Sequence, residues 1–159
     1  NHGMISRDKI EFWGINTRLQ PLQAVVANIE LNKIPSIIKK RNYNAKKLDE
    51  GLAKLSLGNK IIIPVRNKSN SETFALYMGL FNQRDKLIKY LNNNNIEAKI
   101  HYKIPLHLQK AAKNLGYKKG SFPCAEYQAS KLITLPIHQY INNNQINYMI
   151  KKIYEFYKN

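Results

Sequence analysis

The sequence predicts an α/β domain in which a few mostly antiparallel strands are covered by helices. Three observations lead there. Apolar residues recur at helical spacing in several segments, as in Ile146, Met149, Ile150, Ile153 and Tyr157. Between those segments lie short β-branched runs, of which Ile61-Ile62-Ile63 before Pro64 is the plainest. The chain, with 159 residues and 43% hydrophobic content, is also long and apolar enough to bury one ordinary core.

Residues 1–13 show no sustained period and read as a loop. Asn16 and Thr17 both suit an N-cap. Pro21 is tolerated in a first turn, whose N–H groups lack partners anyway, and Leu22, Val25, Val26 and Ile29 make one helical face. Pro35 ends that helix or opens the next, whose stripe is Ile38, Ala45, Leu48, Leu52 and Leu55 and which Gly58-Asn59 stops. Residues 60–66 and 73–81 read as the strands of a hairpin across a turn at 67–71, with Pro64 marking an edge or irregular position. Asn82 reads as the cap of a helix that turns Leu87, Ile88 and Leu91 inward, and Asn95 suits the left-handed conformation. Residues 96–102 then read as a third strand and 106–115 as a short helix closed by Gly116. Pro123 opens a helix over 123–131, residues 132–135 form a brief strand ended by Pro136, and the last helix starts at 142–144.

Composition narrows the partners. Net charge is +16, from 26 Lys+Arg against 10 Asp+Glu, which favours anionic ligands. The excess is mostly lysine spread along the whole chain. Pairs such as Lys39-Lys40, Lys46-Lys47 and Lys151-Lys152 lie on patterns whose other face is apolar, so the plain reading is a solvated surface. No zinc-finger, RRM or KH signature supports a nucleic-acid binder. No apolar run approaches the ~20 residues that span a bilayer. The single cysteine, Cys124, forms no internal disulfide, has no base at motif spacing, and fits a reducing cytoplasm. Trp13 and the tyrosines of the last helix read as core or interface residues.

Chemistry gathers in residues 100–109, which hold His101, Tyr102, Lys103, His107 and Gln109 among apolar neighbours. The stretch reads as the end of a strand, where polar side chains of α/β proteins meet ligands, stiffened by Pro105. The plainer alternative is that His101 and His107 are partly buried, hydrogen-bonded residues. Their spacing is not that of a helical zinc pair and no cysteine cluster completes a site, so no metal is expected.

Several motifs stand in register. His2-Gly3 and Arg7-Asp8 precede Gly14-x-Asn16-x-Arg18-Leu19-x-x-Leu22-Gln23-Ala24. Arg41-x-x-x-Ala45 follows, then His101-Tyr102-x-x-Pro105-Leu106-His107-Leu108-Gln109, Gly120-x-Phe122-Pro123-x-Ala125-Glu126 and Leu135-Pro136-x-His138. Together they resemble the DegT/DnrJ/StrS family of sugar aminotransferases, in the branch acting on nucleotide-linked amino sugars. The resemblance covers essentially the whole chain.

That resemblance implies the C-terminal part of the aspartate-aminotransferase (fold type I) architecture, with residues 1–33 as the tail of the large cofactor-binding domain and 34–159 as the small domain. It implies pyridoxal phosphate (PLP) as cofactor. The reaction would be ping-pong transfer of an amino group, from glutamate, to a keto group on a nucleotide sugar for amino-sugar and surface-polysaccharide synthesis. The partners would be the nucleotide sugar, the amino-acid donor and a second copy in a cytoplasmic homodimer with a shared active site. Asn16 would reach the cofactor phosphate in the partner subunit, a role that suits a neutral donor ahead of a helix N-terminus. Arg18, whose planar fork suits phosphate or a nucleobase carbonyl, would hold the nucleotide sugar with His101 and Tyr102. His107 and Gln109 would line the same mouth.

The family's Schiff-base lysine, in a Ser-x-His-x-x-Lys segment, and its pyridine-pairing aspartate lie upstream of these motifs. Neither segment occurs in the sequence. No catalytic residue is therefore assigned, and the chain is expected to be part of a longer aminotransferase and inactive alone. Two other readings stay open: a non-catalytic remnant that binds nucleotide sugar or dimerises, and a basic nucleic-acid binder.

Overall fold

The computed structural model describes residues 4–6, 9, 10, 15, 18–67 and 69–158. The chain divides into two compact units, Asn1–Ser36 and Ile37–Asn159. The first unit holds a short antiparallel pair, β1 (Met4–Ser6) and β2 (Lys9–Ile10), where the sequence suggested only a loop. Strands of two or three residues are too short to show a period of two. Helix α1 (Pro21–Leu31) follows, with Pro21 in its first turn. The Gln23 side chain accepts from the Gln20 N–H at 3.0 Å, so the reciprocal cap falls on Gln20. The expected caps Asn16 and Thr17 lie outside the described residues, as does Trp13. None of the α1 residues is buried; Leu22, Val25, Val26 and Ile29 all face solvent.

Pro35 opens helix α2 (Ile34–Lys54), which carries the second unit's first apolar stripe. Ala45, Leu48 and Leu52 are buried on it, and Leu55 packs alongside, as the periodicity predicts. Beyond it come β3 (Ile61–Ile62), β4 (Tyr77–Phe81), α3 (Arg84–Asn93), α4 (Pro123–Lys131), β5 (Leu132–Leu135) and α5 (Asn143–Lys158). The sheet order is β3-β4-β5, antiparallel throughout, with Ile61 opposite Phe81 and Tyr77 opposite Leu135. α3 packs on β4, β5 and α5. The core is one cluster in which Leu48, Tyr77, Phe81, Leu87, Leu91, Ile133, Ile146 and Ile153 are essentially inaccessible.

Several elements differ from the sequence reading, each for a local reason. Strand 60–66 contracts to two residues because Gly58–Lys60 is a 3-10 turn and Pro64 cannot donate to a ladder. Strand 73–81 starts late because Phe74 takes a positive φ of 47°. Residues 96–102 form no strand: among the described residues their one backbone pairing with the sheet is the bridge between Lys99 and Thr134, through bonds of 3.1 and 2.8 Å. Residues 106–115 are two 3-10 turns, Leu106–Leu108 and Lys110–Leu115, closed by Gly116 at φ 75°. Asn82 does not cap α3. Its amide donates to Asn59 O at 3.3 Å and its carbonyl accepts Lys131 Nζ at 2.7 Å, while left-handed Gln83 precedes the helix. Asn95 is left-handed, φ 59°, as expected of an asparagine there.

Candidate functional site

The segment after Asn95 runs along the free edge of β5 and is pinned there once. Thr134, itself buried, exchanges both backbone bonds with Lys99 and turns its hydroxyl to His101 Nδ1 at 3.0 Å. That bond fixes the His101 ring; its direction follows the tautomer. Tyr102 stands edge-on to His101, ring centroids 5.6 Å apart, and is 75% exposed. The two side chains open onto a hollow of about 560 Å³ that His107 and Gln109 also line. Four of the six predicted site residues thus share one concavity. The other two belong to the first unit: Arg18 is exposed and makes no ion pair among the described residues, and Asn16 lies outside them.

The remaining wall is mostly apolar, built by Ile104, Leu106, Leu115, Ala125, Ala129 and Leu132. One side is aromatic. His107 packs against Phe122 with the rings tilted by 60° and centroids 4.9 Å apart, and Phe122 meets Tyr117 edge-on at 5.0 Å, geometries that favour both pairs. A few polar groups over an apolar floor suit a ligand with a hydrophilic edge and a flat apolar face.

Glu126 holds this wall together, a role that its place in the motif does not reveal. One oxygen, Oε1, accepts from Gly120 N at 2.7 Å, Phe122 N at 3.4 Å and His107 Nε2 at 3.0 Å. The loop 116–122, the first turn of α4 and the turn at Leu106–Leu108 therefore meet on one carboxylate. Gly120 takes φ 91°, which a side chain would strain. Burial opposes ionisation of Glu126, but the Gly120 N–H, His107 and the Phe122 N–H outweigh it and hold the carboxyl below its usual range. The signal for Glu126 was its place one turn into a helix opened by Pro123, where a carboxylate is favoured. Thr134 carried no such signal. Gln109 donates to Ile104 O at 3.1 Å, so its amide is engaged within its own turn.

Glu126 gives the acid stability a sign. Its folded pKa lies below the ordinary 4.5, so its contribution is fully present above that value and lost as pH falls through the folded pKa. Glu126→Gln should flatten the acid limb of a stability-versus-pH curve below that value. A limb with unchanged slope would show that Glu126 does not carry it.

A second, smaller hollow of about 280 Å³ lies on the other side of His101, with Arg41, Lys99, Thr134 and His138 on its walls. Arg41 is held by Gln139 Oε1 at 3.2 Å and Phe74 O at 3.3 Å. Among the described residues no cluster of three His, Cys, Asp or Glu could hold a metal, and no helix is long and apolar enough to cross a membrane.

The three-stranded antiparallel sheet with its helices is the C-terminal part of the aspartate-aminotransferase architecture. The Streptomyces venezuelae DesV structure, in complex with a ketimine intermediate, superposes with TM-score 0.88 at 29% identity, over 100% of this chain and 42% of that one. The chain belongs to the DegT/DnrJ/EryC1/StrS aminotransferase family, which matches residues 1–154. It is 30% identical over 156 residues to a dTDP-3-amino-3,4,6-trideoxy-alpha-D-glucose transaminase of Streptomyces venezuelae, covering 98% of this chain and 40% of that protein. It is 29% identical over 145 residues to a pleiotropic regulatory protein of Geobacillus stearothermophilus, covering 91% and 39%. The chain thus spans about 40% of the length of these curated relatives.

Proposed function

We propose that the chain supplies the substrate-facing wall of a PLP-dependent aminotransferase that moves an amino group from glutamate to a keto nucleotide sugar. The observation that supports this most is the meeting of His101, Tyr102, His107 and Gln109 on one hollow. In this reading the hollow takes the nucleotide sugar. His101, oriented by Thr134, and the exposed Tyr102 hydroxyl donate to its diphosphate or sugar oxygens, and Arg18 assists. The aromatic row and apolar floor receive the flat, less polar part of the ligand. Asn16 reaches the cofactor phosphate across a homodimer in the cytoplasm, with residues 1–33 as the end of the large domain and 34–159 as the small domain.

The residues lining the hollow do not fit the cofactor itself. PLP chemistry needs a lysine as covalent anchor and a carboxylate against the ring nitrogen. Among the described residues neither type lines this hollow. The chain by itself therefore binds rather than transaminates.

Isothermal titration of the chain with dTDP- and UDP-linked hexoses tests the reading. Binding is expected, and His101→Ala or Tyr102→Ala should each weaken it about tenfold, the loss of one to two hydrogen bonds to a charged ligand. Absence of binding by every nucleotide sugar, or binding indifferent to both substitutions, would remove the proposal.

A further inference from the structure

Helices α2 and α5 leave a second long groove on the Ile37–Asn159 unit, of about 610 Å³. It is lined by Lys47, Lys54, Lys151 and Tyr154, with Gly51 and Ile150 at its base. A Cβ on Gly51 would lie 2.1 Å from Ile150 Cδ1, so the glycine is what lets the two helices approach. The lysines are not scattered. Lys40, Lys47 and Lys54 are spaced by seven along α2 and share one face, a row about 20 Å long. Lys151 and Lys158 repeat that spacing on α5.

Each row carries a tyrosine. Tyr43 lies between Lys40 and Lys47, whose ammonium groups stand 4.7 and 5.8 Å from its ring, and Lys158 stands 5.5 Å from Tyr154. Both rings are more than a third exposed; of the last-helix tyrosines, expected as core or interface residues, Tyr157 lies in the core and Tyr154 on the surface. The opposing charges are few. Glu50 lines the groove with Lys46 at 4.0 Å, and Glu155 is drawn off by Lys152 at 2.8 Å, with Lys151 at 3.8 Å.

We infer that this groove binds a single-stranded nucleic acid, its phosphates tracking the lysine rows and its bases stacking on Tyr43 and Tyr154. Two features favour this ligand. The rows are longer than a mononucleotide, and lysines with aromatic rings among them, here Tyr154 in the groove and Tyr43 one turn along α2 from Lys47, are the arrangement that holds single strands without regard to sequence. A plain polyphosphate or an acidic lipid surface would use the lysines and leave the tyrosines idle. The groove is separate from the hollow at His101, so it adds to the function proposed above and does not depend on it.

Fluorescence anisotropy with a labelled twelve-nucleotide oligouridylate tests the inference on the whole chain. The triple variant Lys47→Gln, Lys54→Gln, Lys151→Gln should bind roughly tenfold or more weakly at moderate salt. Its log–log salt slope should fall by about two, from ~0.7 released counterions per lost contact. A control carrying Lys86→Gln, Lys89→Gln and Lys119→Gln, of equal net charge and on exposed positions elsewhere, should bind within about twofold of the parent. Tyr43→Ala with Tyr154→Ala should weaken oligouridylate several-fold, as stacking implies, while leaving inorganic polyphosphate unchanged. Equal losses in the two lysine triples, or tyrosine variants that bind both ligands like the parent, would overturn the inference. So would stronger binding to vesicles of phosphatidylglycerol than to the oligonucleotide.

Discussion

Tyr77→Ala is expected to destabilise the second unit by about 3–5 kcal/mol, the range for removing a fully buried aromatic ring. Most single domains have only ~5–15 kcal/mol in total. Tyr77 is wholly inaccessible at the start of β4 and faces Leu135 across the sheet. Its hydroxyl donates to Asp49 Oδ1 at 2.6 Å. Burial first, and then the bond to Asp49, push that hydroxyl far above the ordinary tyrosine range, so it stays a donor at every working pH. Asp49 is also gripped by Arg66, at 3.1 Å to Oδ2 and 3.3 Å to Oδ1. The ring and the hydroxyl can be separated. Tyr77→Phe keeps the packing and leaves Asp49 with Arg66, so it should lose about 1 kcal/mol. Urea unfolding of the three proteins measures both; an alanine variant no less stable than the phenylalanine one would mean that the ring does not fill the core as described.

The second large effect is expected at Asn44, where exchanging the amide nitrogen for oxygen turns a buried neutral group into an acid. Asn44 is inaccessible on α2, and its amide donates to His138 O at 3.1 Å and Ile141 O at 3.5 Å, tying the helix to the turn after β5. Among the described residues its Oδ1 has no partner. Asn44→Asp puts a carboxylate against two carbonyl oxygens, at a cost of about 3 kcal/mol or more at neutral pH. The sign follows from linkage. A carboxyl that ionises less readily when folded contributes least harm below its unfolded pKa, near ~3.9, and most once pH has risen through its folded value. The variant should therefore lie closer to the parent at pH 4 than at pH 7. A destabilisation equal at both would show that the carboxylate reaches water.

How much of this could be read from the residues alone differs by element. The α2 stripe through Leu48 and Leu52, and the α5 stripe through Ile146 and Ile153, were legible because a helix buries one face and its period is long enough to see. The Pro123 and Gly116 boundaries were legible because each residue restricts the backbone in one specific way. The segment 96–102 was misread as a strand because its apolar residues, Ile96 and Ala98, are buried by lying across the core edge, not by pairing along a ladder. Asn82 looked like a cap, but its side chain is taken by Asn59 and Lys131, distant residues that no local pattern reveals. In the hollow, His101 and Tyr102 were visible as polar residues in an apolar run. Thr134 and Glu126, which orient that wall, were not. Their roles depend on contacts across 33 and 19 residues of chain.

Helix α1 has a thermodynamic consequence of its own. With no buried residue and only eleven positions, it gains little from tertiary packing and sits near the length where helices in water are marginal. Its order is governed by local helix–coil balance, while the core of Leu48, Tyr77 and Ile153 is lost all at once. Unfolding free energies measured on this chain therefore refer to the Ile37–Asn159 unit. Ellipticity from α1 should instead drift gradually with temperature, outside the cooperative transition.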